Sequence, residues 1–242
     1  MNLYIFESEE ELDHAAAESV IKVIRTNPNA KLGLATGQTP IGLYKKLVQA
    51  FENGRVSFKQ VTTYNIDEYV GLGKDHPQSF FAYMNDYLFS KVDLSKEQIH
   101  IPNGMAEDLE KEAARYETLL NQAGQLDVQI LSIGLNGHIG FNEPGTQLHA
   151  ETHVVELTEE TRKVNSKFFP SLADVPKKAI TMGVGPMMKA KKIVFIAKGE
   201  AKAAILKQAF KGPIDLMVPG SLLQLHPNIE VYLDTKAASL LI

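Results

Sequence analysis

Short apolar runs alternate with helix-period segments along the whole chain. The runs fall at residues 3–6, 31–35, 61–66, 128–134, 152–157, 192–197 and 229–233. Between them, amphipathic stretches at 12–25, 41–52, 79–90, 106–122, 159–169 and 201–211 repeat their apolar residues with helical spacing. Runs that are apolar on both faces suit a largely parallel sheet covered by helices on both sides. The pattern predicts a doubly wound α/β fold, with function in the loops beyond the C-terminal ends of the strands. The first helix carries its own start signal, Ser8 with Glu11 three residues on, the spacing of a capping box.

Length and composition narrow the picture. No repeat, low-complexity segment or linker divides the 242 residues, so a single domain spanning 1–242 is expected. With 44% hydrophobic and 22% charged residues the composition is ordinary globular, which excludes disordered, collagenous and coiled-coil classes. A net charge of −4 lacks the basic surplus of a nucleic-acid footprint, so no nucleic-acid partner is expected. It does not argue against a small anionic substrate, because a basic pocket fits inside an acidic protein. The absence of cysteine excludes disulfides, thiolate nucleophiles and zinc–thiolate sites. The N-terminus has no basic segment leading into an apolar one, and no run approaches the length of a membrane span. No membrane partner and a cytoplasmic location are expected.

Three loops carry candidate chemistry. Thr36, Gly37, Gln38 and Thr39 follow the run at 31–35, with Pro40 where a helix would begin. Such a turn offers backbone N–H groups, hydroxyls and a helix N-terminus to an anion. It lacks the Gly-Lys-Ser/Thr ending of a nucleotide loop, and a plain strand–helix turn with Thr39 as N-cap is the competing reading. Asp67 and Glu68 end the run at 61–66, where two adjacent carboxylates are costly to desolvate. Strand alternation sends one to the crevice and the other away, and a solvated turn is the competing reading. The third loop, 134–145, holds glycines at 134, 137, 140 and 145 around His138 and Glu143, an imidazole and a carboxylate suited to general acid–base work.

The remaining histidines read as structural. His14 lies in the first helix, and His76, His100 and His226 fall in loops or at strand ends. His149 and His153 are four apart, but no carboxylate completes a metal pattern. No metal is expected.

Taken together, the segments 34–40, 65–69, 136–144, 165–169 and 223–227 resemble those of glucosamine-6-phosphate deaminases, in order and spacing over almost the whole chain. The resemblance implies a Rossmann-like α/β sandwich, shared with ribose-phosphate isomerases and phosphogluconolactonases. It implies conversion of glucosamine 6-phosphate to fructose 6-phosphate and ammonia, without a cofactor. It assigns Asp67 as the base at C2. It gives His138 the opening of the pyranose ring, helped by Asn136 and Glu143. Thr36, Gly37, Gln38, Thr39, Lys167 and Lys202 match positions that hold the sugar phosphate. Many relatives have arginine at Lys167, so the charge is kept and the bidentate fork lost. Some have aspartate at Asn136. An amide there orients the imidazole but supplies no charge, which puts more electrostatic support on Glu143.

Two other readings remain. A phosphogluconolactonase-like hydrolase needs a sugar-phosphate site but no base at C2, and a non-catalytic sugar-phosphate sensor predicts an attached DNA-binding helix-turn-helix. In allosteric hexameric members, cations after the His138 loop bind an activator phosphate, N-acetylglucosamine 6-phosphate. Here His153 and Val155 stand at those positions, and the chain stops at Ile242. An enzyme without that activation, and a monomer rather than a hexamer, is expected.

Overall fold

The computed structural model describes residues 1–242. In chain order the strands are β1 (Asn2–Phe6), β2 (Lys31–Leu34), β3 (Thr62–Asn65), β4 (Asp67–Tyr69), β5 (Ile99–His100), β6 (Val128–Leu131), β7 (His153–Glu156), β8 (Lys178–Thr181), β9 (Ile193–Ala197) and β10 (Ile229–Asp234). The helices are α1 (Glu9–Thr26), α2 (Ile41–Glu52), α3 (Phe80–Tyr87), α4 (Leu109–Ala123), α5 (Glu159–Asn165), α6 (Val184–Lys189), α7 (Ala203–Lys211) and α8 (Thr235–Ala238), with short 3₁₀ turns between them. Seven strands form one sheet in the order β1-β10-β9-β6-β2-β3-β5, and every neighbouring pair is parallel. Helices pack on its faces around a continuous core of 51 buried residues. This is the doubly wound α/β architecture that the apolar runs imply.

Two local signals hold. The Ser8 hydroxyl accepts from the Glu11 amide and the Glu11 carboxylate accepts from the Ser8 amide, closing the capping box of α1. The amphipathic stretch at 41–52 coincides with α2. The run at 152–157 departs from expectation. Its strand, β7, belongs to a separate three-stranded antiparallel sheet, β4-β8-β7. Its residues are half-buried rather than enclosed, and one-sided burial belongs to an antiparallel sheet with a solvated face.

The strand order reverses between β2 and β6. From β2 the chain moves outward to β3 and β5, and from β6 it moves the other way to β9 and β10. The loops that leave β2 and β6 therefore diverge and open a crevice at their C-terminal ends. Ile66 sets the third wall. Its amide donates to Leu34 O in the main sheet and its carbonyl accepts from Met182 N, so the chain crosses into the second sheet at the next residue, Asp67.

Candidate active site

A cavity of about 480 Å³ lies in that crevice, within the range typical of small-ligand sites. The turn after β2, strand β4, the loop after β6, α5 and the start of α7 all contribute to it. Of the expected site residues, Thr36, Gly37, Gln38, Thr39, Asp67, Asn136, His138 and Lys202 line the cavity. Glu143 stands directly behind His138, and Lys167 lies outside the lining.

Asp67 and Glu68 separate as strand alternation requires. Asp67 faces the cavity, is 6% exposed and receives no hydrogen bond, and its carboxyl is held well above the usual range by burial and by the neighbouring Glu68. Glu68 turns away and accepts from the amides of Tyr69, Phe80 and Phe81 at 2.8, 2.9 and 3.0 Å, which anchors the start of α3. Burial pushes Glu68 up to about 7 against the pull of those three donors.

The loop after β6 is shaped by close approach. A side chain at Gly134 would put its Cβ 2.3–2.5 Å from the His138 ring, so the imidazole lies flat on a bare backbone. Gly140, at φ +58°, packs against Ile66, where a Cβ would stand only 2.7 Å from Ile66 Cγ2. These two contacts bring the His138 loop against the end of β3, across from Asp67.

Glu143 organises the pair. Its side chain is 9% exposed, and Oε2 lies 3.5 Å from His138 Nδ1. Asn136 Nδ2 donates to the same oxygen at 2.7 Å, while Asn136 Oδ1 accepts from the His138 amide at 3.2 Å. The amide thus orients Glu143 and the loop backbone rather than the imidazole, a correction to the role expected from its chemistry. Burial alone raises the Glu143 carboxyl, but His138, Thr161 and Asn136 together hold it below its ordinary value. It is a carboxylate at neutral pH, turned toward an imidazole.

The turn after β2 forms one end of the cavity. Pro40, not Thr39, takes the N-cap position of α2, and no side chain caps the helix there. Thr39 instead lines the cavity. Gly37, at φ +96°, is held by Tyr83, whose hydroxyl donates to the Gly37 carbonyl at 2.6 Å. Lys202 reaches across from the start of α7, donates one proton to Ile133 O at 2.6 Å and keeps two for a ligand. Burial, with the nearby Lys167 charge, lowers its ammonium to about 8. Lys167 is exposed, with Nζ 5.0 Å over the Phe168 ring. An apolar wall of Tyr69, Phe80, Phe141 and Phe169 closes the side beside Asp67, with ring centroids 4.6–6.1 Å apart. Thr161 also lines the cavity and bonds Glu143, and it carries no sequence signal to set it apart from an ordinary first-turn helix residue.

Other segments prove structural. His226 is buried with Nε2 2.8 Å from Ala190 O, and Gln224 donates to Ala209 O and Gly212 O. No group of three or more His, Asp or Glu side chains has metal-binding geometry. No helix is long and apolar enough to cross a membrane.

The family model for glucosamine-6-phosphate isomerases and 6-phosphogluconolactonase matches residues 7–231. A glucosamine-6-phosphate deaminase from Thermoanaerobacter pseudethanolicus is 49% identical over 241 residues, covering 100% of this chain and 95% of that protein. One from Alkaliphilus oremlandii is 48% identical, covering 100% of both chains. A solved structure described as a monomeric glucosamine-6-phosphate deaminase superposes with a TM-score of 0.96 at 44% identity, over 99% of this chain and 100% of its own. The 6-phosphogluconolactonase of Trypanosoma brucei shares only the fold, with a TM-score of 0.76 at 17% identity. This chain belongs to the glucosamine-6-phosphate isomerase/6-phosphogluconolactonase family.

Proposed function

We propose that this protein deaminates and isomerises glucosamine 6-phosphate to fructose 6-phosphate and ammonia, with the whole chain, 1–242, acting as one catalytic domain. The observation that carries the reading is a buried, unpartnered carboxylate, Asp67, facing the same cavity as the His138–Glu143 pair. Full-length identity to deaminases at 48–49% supports it.

Ring opening, proton abstraction at C2 and phosphate anchoring each have a group suited to them. The substrate is mostly a closed pyranose, so C1–O5 must break first. The C1 hydroxyl loses a proton and O5 gains one, with His138 moving the proton and Glu143 stabilising the imidazolium. Asp67 then takes the C2 proton from the open-chain aldehyde, giving an enolamine. Returning a proton to C1 makes the C2 ketimine. Water adds at C2 and ammonia leaves, so one water is consumed for each ammonia released. The turn at 36–39 and Lys202 hold the phosphate, with Lys167 adding its charge from outside the cavity lining, which positions C2 against Asp67 from the far end of the molecule. No hydride or electron carrier enters these steps.

A lactonase needs no base at C2, which leaves Asp67 and its desolvation without a task. The phosphorylated substrate belongs in the cytoplasm, since a charged ester does not cross a bilayer unaided. We also take the protein to act as a monomer, as its structural relative is described. The test is ammonia release from glucosamine 6-phosphate, run beside hydrolysis of 6-phosphogluconolactone. Ammonia with no lactone hydrolysis is expected. Lactone hydrolysis without ammonia overturns the reading, and substrate binding without turnover revives the sensor.

A further inference from the structure

The two oxygens of Glu143 have separate partners. Oε2 accepts from Asn136 and faces His138. Oε1 accepts from the Thr161 hydroxyl at 2.5 Å. Thr161 is 4% exposed and sits in the first turn of α5, an element separate from the loop that carries His138 and Glu143. Its hydroxyl also lies 3.1 Å from Thr158 Oγ1, which accepts from the Thr161 amide at 3.2 Å.

Proton counting fixes the direction of this chain. An ionised carboxylate only accepts, so the single hydroxyl proton of Thr161 is committed to Glu143. Thr161 Oγ1 then accepts from Thr158, whose own lone pair takes the Thr161 amide. The sequence of donors runs from the amide of residue 161 to Thr158, back to Thr161, and out to Glu143. It ends on the carboxylate that faces the imidazole.

We infer that Thr161 is a positioning residue for the His138–Glu143 pair, its hydroxyl fixing the rotation of the carboxylate so that Oε2 stays turned to His138. The terminal torsion of a glutamate is broad and needs a donor at each oxygen to define it. Asn136 supplies one and Thr161 the other, from opposite sides. Because α5 also presents Val164 and Asn165 to the cavity, the hydroxyl ties the orientation of the acid–base pair to that wall. The kinetic consequence rests on the deaminase reading above.

The test compares Thr161→Val, which keeps the shape and removes the hydroxyl, with Thr161→Ser, which keeps the hydroxyl. In the valine variant kcat for glucosamine 6-phosphate falls on the order of 10- to 100-fold. KM stays within about twofold, since substrate binding is not the interaction removed. The acid limb of its pH profile moves to higher pH, because a carboxylate with one donor fewer protonates more readily. The serine variant stays within about threefold of the parent enzyme on the same kinetic scale. Carbon-13 NMR of the Glu143 carboxyl gives a readout independent of turnover, and its midpoint rises in Thr161→Val and not in Thr161→Ser. An unmoved midpoint with unchanged kcat in the valine variant overturns the inference. Equal losses in both variants also overturn it, by assigning the effect to packing. A midpoint that moves as expected in a protein whose parent form releases no ammonia supports the positioning role and overturns the deaminase reading instead.

Discussion

The carboxylates of Asp67 and Glu68 stand on opposite sides of one short strand, the first bare toward the cavity and the second wrapped by three backbone amides. The Glu68 charge is fixed in place by those amides, and it raises the Asp67 carboxyl beyond what burial does alone. A carboxyl in this setting is costly to ionise and, once ionised, correspondingly eager for a proton.

Replacing Asp67 by Asn therefore has two expected effects of opposite sign. Deamination falls by roughly 10²–10⁴, the usual contribution of a general base, while affinity for the phosphate end is kept. Stability at neutral pH rises. The folded-state value of Asp67 lies above its unfolded one, so the native state loses stability as pH climbs through and beyond the usual carboxylate range. Asparagine removes that loss. Melting at pH 7 should rise by about 2–4 °C for each kcal/mol relieved, and the gain should vanish in acid, where both forms are neutral. Near-normal turnover, or a lower melting temperature at pH 7, contradicts the assignment.

His138 is expected to act before the isomerisation. His138→Gln should slow glucosamine 6-phosphate far more than a 5-O-methyl analogue, which cannot close the six-membered ring. Proton exchange at C2 of that analogue, followed by NMR in heavy water, separates the two steps. The Glu143 contact at 3.5 Å is the motive, since it supports an imidazolium while the proton is in transit. Equal losses on both substrates assign His138 a later or purely structural role.

Much of this site is legible in the chain. Apolar runs locate the main strands, and the rule that function gathers at their C-terminal ends points to the turn at 36–39, to the Asp67–Glu68 pair and to the His138 loop. Only the family resemblance selects Asp67 of the two carboxylates. Local patterning also separated Asp67 from Glu68, because alternation is a property of the strand itself. Contacts between distant segments are another matter. Thr161 reads as a first-turn residue until α5 is folded against Glu143. Of the second sheet only β7 coincides with an apolar run; β4 follows β3 after a single residue, and β8, Lys178–Thr181, is polar at both ends, so neither stands out as a run of its own. Lys167 illustrates the converse. Its position resembles a phosphate ligand, yet its ammonium lies over Phe168, and only its field reaches Lys202.

That field makes the Lys202 site sensitive to alkali. The ammonium titrates at about 8, lowered first by burial and then by Lys167. A phosphate is attracted to the protonated form, so KM should rise as pH passes through 8. Lys202→Arg, which stays charged, should keep KM flat over that interval. Lys167→Ala removes a like charge and should move the rise to higher pH while raising KM at neutral pH. Lys202→Ala should raise KM and leave kcat nearly intact, because a phosphate remote from C2 is held alike in ground and transition states. A flat KM in the parent enzyme between pH 7 and 9 removes Lys202 from the phosphate site.

Substrate saturation should be hyperbolic and indifferent to N-acetylglucosamine 6-phosphate. In the hexameric relatives that the chain resembles, cations after the His138 loop hold the activator's phosphate. Here that stretch is β7 and the residue before it, and both are otherwise engaged. The Thr152 amide and hydroxyl both donate to Glu117 at 2.8 Å. His153 stacks on His149 with centroids 4.3 Å apart, and its Nδ1 lies 3.0 Å from Glu151 O. Burial lowers the His153 imidazole, a tendency that the Glu151 carbonyl opposes without reversing, so the ring is neutral at pH 7. Val155 offers no polar atom at all. A neutral ring and an isopropyl group cannot supply the charge-assisted hydrogen bonds that a phosphate dianion requires. A ligand without differential affinity for two states moves no equilibrium between them. Initial rates measured across substrate concentration, with and without the acetylated sugar phosphate, should give superimposable curves with a Hill coefficient of about 1. A sigmoidal curve that becomes hyperbolic on adding the acetylated sugar would mean that cations from elsewhere in the chain, or from a second copy, complete an activator site.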